Sequence, residues 1–127
     1  MRSHEDLIVW QKSRRVVLAV VQLSATAWKP CFAAMFWQLQ RSALSVQLNI
    51  TEGCALWYPR QLRRHLRIAL GSAAETVDLL NLLRDAKAVA GETVNPLITE
   101  ERQVWWMLVS WLKKTEVDED LTRSHSS

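Results

Sequence analysis

The chain has 127 residues, of which 49% are apolar and 23% are charged, with only three glycines and three prolines. This balance is typical of one globular domain, and so few turn-forming residues argue against a β-rich fold. The most apolar stretch, residues 16–27, is too short to span a bilayer, and two cysteines are too few for a disulfide framework. We therefore expect a reduced, cytoplasmic, all-α protein without a membrane partner.

The charge of the chain is unevenly distributed. The formal net charge is +3, but residues 116–127 hold four acids and one base, so the preceding residues carry +6. A basic folded part favours an anionic partner. We predict a helical domain over residues 1–115 and a polar, disordered tail over residues 116–127.

The first two predicted helices cover residues 6–28 and 31–51. Ser3 is the expected N-cap of the first helix, which ends at Lys29 because the residue before a proline leaves the α region. Apolar residues of the second helix recur at spacings of three and four, which marks one helix face, and Gly53 is the expected stop.

The last two predicted helices cover residues 59–90 and 99–115. Pro59 suits the first turn of the third helix, and Gly91 is its expected stop. The third helix keeps an a/d spacing of small and apolar residues over three heptads, and Thr99 is the expected N-cap of the fourth. Because the connections are short, the four helices should pack as an up-down-up-down antiparallel bundle.

Four arginines at the start of the third helix form the most informative local pattern, namely Arg60, Arg63, Arg64 and Arg67. Their spacing of i, i+3, i+4 and i+7 predicts that all four project from one side of the helix, where phosphate oxygens are suitable partners. The alternative is a solvated charged face. Aromatic residues just before the run suit base stacking, and three basic residues of the first helix extend the predicted surface. The predicted nucleic-acid-binding residues are Arg60, Arg63, Arg64, Arg67, Lys12, Arg14, Arg15, Trp57 and Tyr58.

Seven tryptophans are many for a thin bundle. Trp105 and Trp106 are adjacent and point about 100° apart on a helix, so both cannot face one narrow core. We expect at least one tryptophan at a subunit contact or against a partner protein, and hence a homo-oligomer. The alternative is a wide apolar face with partly exposed rings. A second functional hypothesis follows, a scaffold that binds only protein.

No pattern for an enzyme stands out. The three histidines and two cysteines lack metal-ligand spacing, and no phosphate-binding loop or nucleophile motif occurs, so we expect no metal, no cofactor and no catalysis. Arg60 and His65 form an Arg-x4-His string similar to that of HEPN-type ribonucleases, which gives a third hypothesis, RNA cleavage. Glu52 and Glu75 can approach across the second and third helices, where pairing with an arginine such as Arg41 is expected.

Two motifs resemble those of a known family. Residues 38–53, QLQRSALSVQLNITEG, resemble the signature QlrrAavSIpsNIAEG of four-helix-bundle proteins encoded in 23S rRNA intervening sequences. Residues 66–75, LRIALGSAAE, resemble the second signature of that family, LriArGSaaE, and residues 6–12, DLIVWQK, resemble its usual start. The chain departs from the signatures at four positions, Gln47, Thr51, His65 and Leu70.

The family includes the accessory variability protein (Avd) of diversity-generating retroelements. The resemblance implies a four-helix bundle, a pentameric barrel, binding to RNA and DNA, association with a reverse transcriptase, and no active site. Small signature residues imply a close approach of the second and third helices, with Asn49, Glu52 and Glu75 in a buried polar network there. The leading hypothesis is therefore a non-catalytic, nucleic-acid-binding accessory protein of a reverse transcriptase. The small residues are Ser45, Ala69, Gly71, Ser72 and Ala73.

Overall fold

Four helices pack as an antiparallel bundle, which confirms the predicted fold class. The computed structural model describes residues 3–56 and 58–125, apart from five side chains. The helices are α1 (Ile8–Ala27), α2 (Ala33–Leu56), α3 (Pro59–Asp85) and α4 (Gly91–His125). Consecutive helices pack together, and α1 also packs against α4, which closes the bundle. Within the described residues, no helix is both long and apolar enough to cross a bilayer. The five side chains left out are those of Leu56, Glu119, Leu121, Thr122 and His125.

The first helix begins and ends close to the predicted residues. Ser3 caps a short 3-10 turn, His4–Asp6, and its hydroxyl accepts a hydrogen bond from the Glu5 N–H at 3.2 Å. The α-helix itself starts two residues later than predicted, at Ile8, because the residue before it is extended. Lys29, which precedes Pro30, is extended at φ −140° and ψ 151°, and this geometry separates α1 from α2.

The third helix ends earlier than predicted, and the stop is a lysine. Lys87 has a φ of 59°, the left-handed conformation that commonly closes a helix, and its N–H donates to the Arg84 carbonyl at 2.9 Å. The Ala88 N–H reaches back to the Leu83 carbonyl at 2.9 Å. Gly91, the predicted stop, instead begins α4. The sequence did not reveal this end because glycine or asparagine normally occupies such a position.

The fourth helix is longer at both ends than predicted. It starts at Gly91, and Pro96 lies within it. Pro96 is the sixth residue, so its missing N–H removes the helical hydrogen bond that the Glu92 carbonyl would otherwise accept, a loss confined to the start of the helix. At the other end the helix continues through residue 125, although a disordered tail was predicted from residue 116. At the first residue of this extension, Glu116 pairs with Arg67 of α3 at 3.0 Å.

The core consists of two apolar clusters separated by one polar layer. One cluster includes Val20, Phe36, Leu83 and Ile98, and the other includes Val9, Ile50, Leu66 and Leu108. Each helix contributes one buried polar residue at or near the boundary between its members of the two clusters. The Thr76 hydroxyl donates to Ser42 Oγ at 2.9 Å within this layer. The four residues, which we call the polar layer, are Ser13, Ser42, Thr76 and Glu101.

Small residues bring α2 and α3 together, as the signature motifs implied, although their roles differ in detail. Ser45 Oγ and Ser72 Oγ are 2.8 Å apart across the contact. Gly53 does not stop α2, as was predicted. It lies inside the helix, where an added Cβ would come within 3.1 Å of the His65 Cβ. Gly71 faces away, with nothing within 4 Å of an added Cβ, so it makes no close helix contact.

The polar network predicted at this contact is only half-buried. Asn49 Oδ1 lies 2.9 Å from His65 Nδ1, and the Glu52 carboxylate lies 3.5 Å from the same nitrogen. The side chain of Glu52 is 60% exposed, and Glu75 is exposed and accepts a hydrogen bond from Gln38 at 2.5 Å. Burial of the two glutamates was therefore predicted wrongly, and neither pairs with an arginine in the described part of the chain.

Candidate nucleic-acid interface

Three of the four arginines at the start of α3 lie on its exposed side. Arg60, Arg64 and Arg67 are spaced i, i+4 and i+7, which places them on one helix face, and all three are exposed. Among the described residues, Arg60 and Arg64 form no ion pair. Arg67 donates to Glu116 at 3.0 Å, yet 56% of its side chain stays exposed. Such an exposed pair is worth about 0–1 kcal/mol, so a phosphate can replace the carboxylate at low cost.

Arg63 is buried, with 5% of its surface exposed. The prediction that all four arginines project from one exposed side is therefore wrong at this position. Position 63 lies three residues before Leu66, on the buried face that continues through Ala69 and Ala73. The Arg63 side chain lines a cavity together with Trp111 of α4. It cannot meet a phosphate group on the outer surface of α3.

One lysine of α4 lies near Arg67, and spacing along α3 alone did not point to it. The ion pair between Arg67 and Glu116 sets the last turns of α4 beside the first turns of α3. Lys113 lies one turn before Glu116, on the same side of α4, and is exposed. Lys114 is also exposed, but it lies two residues before Glu116 and therefore on the opposite side of α4. Spacing along one helix does not reveal which residues of a neighbouring helix lie beside it. We call the following set the basic face: Arg60, Arg64, Arg67 and Lys113.

The basic residues of α1 lie elsewhere. Lys12 donates to Gln103 at 2.8 Å, and Arg15 donates to Glu100 at 2.8 Å. These bonds place that part of α1 beside the middle of α4, ten residues from Lys113, which corresponds to about 15 Å along a helix. Arg14 is exposed and forms no ion pair in the described chain. These two bonds hold Lys12 and Arg15 against α4 rather than α3.

One of the two aromatic residues predicted to stack on bases can be placed. Tyr58 immediately precedes α3 and is 66% exposed, so its ring is accessible beside Arg60 in the chain. Trp57 lies outside the described residues.

The geometry around His65 does not resemble a ribonuclease site. The ring is turned into the contact between α2 and α3, where Asn49 Oδ1 lies 2.9 Å from Nδ1, and only 13% of the side chain is exposed. Arg60 is exposed on another side of α3. An acid-base histidine and a phosphate-binding arginine must reach the same scissile phosphate, and these two residues point apart. No group of potential metal ligands occurs among the described residues.

Several tryptophans are exposed, together with aliphatic side chains. Trp106 is 63% exposed while its neighbour Trp105 is half-buried, and their rings meet edge to face at 4.7 Å. Further exposed apolar side chains lie on or beside the adjacent helices α1 and α2. The Arg41 guanidinium covers one of them, 5.0 Å from the Trp37 ring centre. The exposed residues, which we call the outer apolar surface, are Leu18, Val21, Trp28, Trp37, Leu44 and Leu48.

Comparisons with known proteins agree with this architecture. The family model of the 23S rRNA-intervening sequence protein matches residues 5–110. A crystal structure of a protein of unknown function from the S23 ribosomal protein family of Bacteroides thetaiotaomicron is similar, with a TM-score of 0.76. The two chains are 24% identical, and the match covers 84% of this chain and 96% of the other. A search among curated proteins gave no match. The structural likeness shows the fold, and the family match extends over most of the chain.

Proposed function

The chain belongs to the 23S rRNA-intervening sequence protein family, and we propose that it is a non-catalytic accessory protein that binds nucleic acid through the basic face. One observation carries the proposal. Arg60 and Arg64 are exposed side by side on α3 without an ion pair among the described residues. Like charges at this spacing repel by a few tenths of a kcal/mol, and a polyanion would relieve that repulsion.

The basic face suits contact with the phosphate backbone rather than with base edges. Arginine presents a planar fork of donors to phosphate oxygens, and lysine adds a point charge. Such contacts give affinity that does not depend on sequence and that falls steeply with salt. We therefore propose that the protein binds RNA and DNA with little sequence preference through this face, and that any selectivity arises elsewhere on the surface.

Self-association would multiply this contact. The outer apolar surface leaves Trp28 and Trp37 more than half exposed, at 53% and 62%, which is unusual for large apolar side chains on a monomer. We propose that it forms the contact between subunits, and the resemblance to the accessory variability protein favours a pentamer. Several basic faces on one assembly would bind one nucleic acid strand with higher effective affinity than a single face.

The proposed protein partner is the reverse transcriptase of a diversity-generating retroelement. Its support is the similarity of residues 38–53 and 66–75 to the signatures of a family that includes the accessory variability protein. Trp106, 63% exposed on α4, is a suitable anchor for a protein contact, because tryptophan is enriched in binding hot spots. Co-purification with the reverse transcriptase from the same locus, lost in Trp106→Ala, would support this partner.

The experiment for nucleic-acid binding compares two double variants that lose the same charge. Arg60→Ala/Arg64→Ala removes two cations of the basic face. Lys29→Ala/Arg102→Ala removes two exposed cations far from it. Fluorescence anisotropy of a labelled RNA at low salt should show at least about tenfold weaker binding for the first variant and little change for the second. Equal losses in both would indicate net charge alone, and no binding by the wild type would refute the proposal.

The second candidate function is a scaffold that binds only protein. The observation that favours it is the outer apolar surface, which needs no nucleic acid to explain it. In that case the wild type would fail to bind RNA at low salt while still forming oligomers or retaining the reverse transcriptase.

A further inference from the structure

A cavity opens beside the basic face, where the start of α3, the end of α2 and the last turns of α4 meet. Its volume is about 560 Å³. This lies within the range of roughly 300–1,000 Å³ that is usual for small-molecule sites. Apolar walls come from Pro59, Leu62 and Trp111. Arg60 belongs both to the cavity and to the basic face, so the two features are continuous.

The charged groups of the cavity favour an anion. Among the described residues, three arginines and one aspartate line it, namely Arg60, Arg63, Arg123 and Asp118. Positive groups therefore outnumber the negative group in the described part of the wall, whatever pairs these four form with each other. Apolar walls beside guanidinium groups suit a flat apolar body that carries a negative group. A nucleobase attached to its phosphate has this chemistry, and an indole such as that of Trp111 can stack on any of the four bases.

We infer that the cavity takes one unstacked base of the nucleic acid whose backbone lies on the basic face, so that the protein prefers single strands to duplexes. This inference rests on the proposed function. In a duplex every base is paired and stacked, and extruding one costs a few kcal/mol. A single strand offers its bases freely, so only a single strand gains the stacking contact in addition to the phosphate contacts.

The test compares a single-stranded RNA with a duplex of the same sequence and uses a variant that fills the cavity. Thr115 lines the cavity, and within the described residues its hydroxyl bonds only to a carbonyl of its own helix, that of Leu112 at 2.7 Å. Thr115→Phe should occupy the space without changing any charge, and Thr115→Val is the matched control of similar size. We expect Thr115→Phe to lose about tenfold in single-strand affinity while duplex affinity is unchanged, and Thr115→Val to keep both.

A second measurement covers the case in which Thr115→Phe fails to fold. A single-stranded RNA with one 2-aminopurine should show altered probe fluorescence on binding to the wild type, because the base leaves water and stacks on an indole. The duplex with the same probe should not. Equal wild-type affinity for both forms, with no change in probe fluorescence, would overturn the inference while leaving the proposed function intact. If the wild type binds neither form, the proposed function itself fails.

Discussion

Replacing Glu101 by glutamine should stabilise the protein, and increasingly so as the pH rises. Glu101 is only 1% exposed, and its Oε1 atom has no hydrogen-bond partner among the described residues. Burial, together with the neighbouring charge of Glu100, raises the pKa of the Glu101 carboxyl from 4.5 to about 8. The carboxyl is therefore neutral in the folded protein at pH 7 and ionised in the unfolded chain. Unfolding then releases a proton, so the folded state loses stability as the pH rises.

The size of this pH-dependent loss of stability follows from the interval between the pKa of Glu101 in the unfolded chain and its pKa in the folded protein. Below about pH 4.5 both states are protonated, and the residue contributes no pH dependence. Each pH unit above that value lowers the free energy of unfolding by about 1.4 kcal/mol, until the folded carboxyl ionises near pH 8. The loss is about 3 kcal/mol at pH 7, a large part of the ~5–15 kcal/mol that stabilises a typical domain. Glutamine is neutral at every pH and avoids this loss.

Urea denaturation followed by circular dichroism at pH 4.5, 6, 7 and 8.5 measures the difference. We expect Glu101→Gln and the wild type to be nearly equal in stability at the lowest pH and to diverge by a few kcal/mol at the highest. Glu92→Gln, the same change at an exposed position of α4, is the matched control and should stay within about 0.5 kcal/mol of the wild type. A pH-independent difference between Glu101→Gln and the wild type would refute a buried neutral carboxyl.

Three further predictions concern packing, a helix end and assembly. Gly53→Ala should lower the free energy of unfolding by about 1–3 kcal/mol in urea denaturation, because the added Cβ would press on α3 at 3.1 Å. Gly71→Ala, whose added Cβ meets open space, should raise the free energy of unfolding by about 0.5–1 kcal/mol in the same assay. Lys87→Gly should raise the melting temperature, since glycine adopts a φ of 59° without strain; a decrease would contradict this account of the helix end. Trp37→Ser/Leu44→Ser should shift the assembly toward monomers in light scattering while helicity is kept, and an unchanged mass would exclude this surface as the subunit contact.

The sequence predicts the helices well where local chemistry decides them. The break between α1 and α2 follows from Lys29 and Pro30, and the first residue of α3 follows from Pro59. It predicts the other ends poorly where tertiary contacts decide. Gly53 packs against α3 inside α2, and Gly91 begins α4, so neither glycine ends a helix. The end of α3 near Lys87 has no sequence signature.

In the candidate site, too, the sequence predicts what one helix determines and misses what contacts between helices determine. The shared face of Arg60 and Arg64 follows from spacing alone, because one helix fixes both residues. The burial of Arg63 could not be predicted from its charge. It depends on the length of α4, which runs past the bundle core and covers that side of α3. Lys113 of α4 could not be predicted for the same reason, since its place beside Arg67 depends on how two helices align.

The salt dependence of RNA binding tests the central claim most directly. In a plot of log affinity against log salt concentration, each phosphate contact to a single strand contributes about 0.7 to the slope. Arg60→Ala/Arg64→Ala should therefore flatten the slope by about 1.4 relative to the wild type, and Lys29→Ala/Arg102→Ala should leave it unchanged. A slope that is the same in the wild type and in Arg60→Ala/Arg64→Ala would show that these arginines do not contact phosphate groups, and the assignment of the basic face would be wrong.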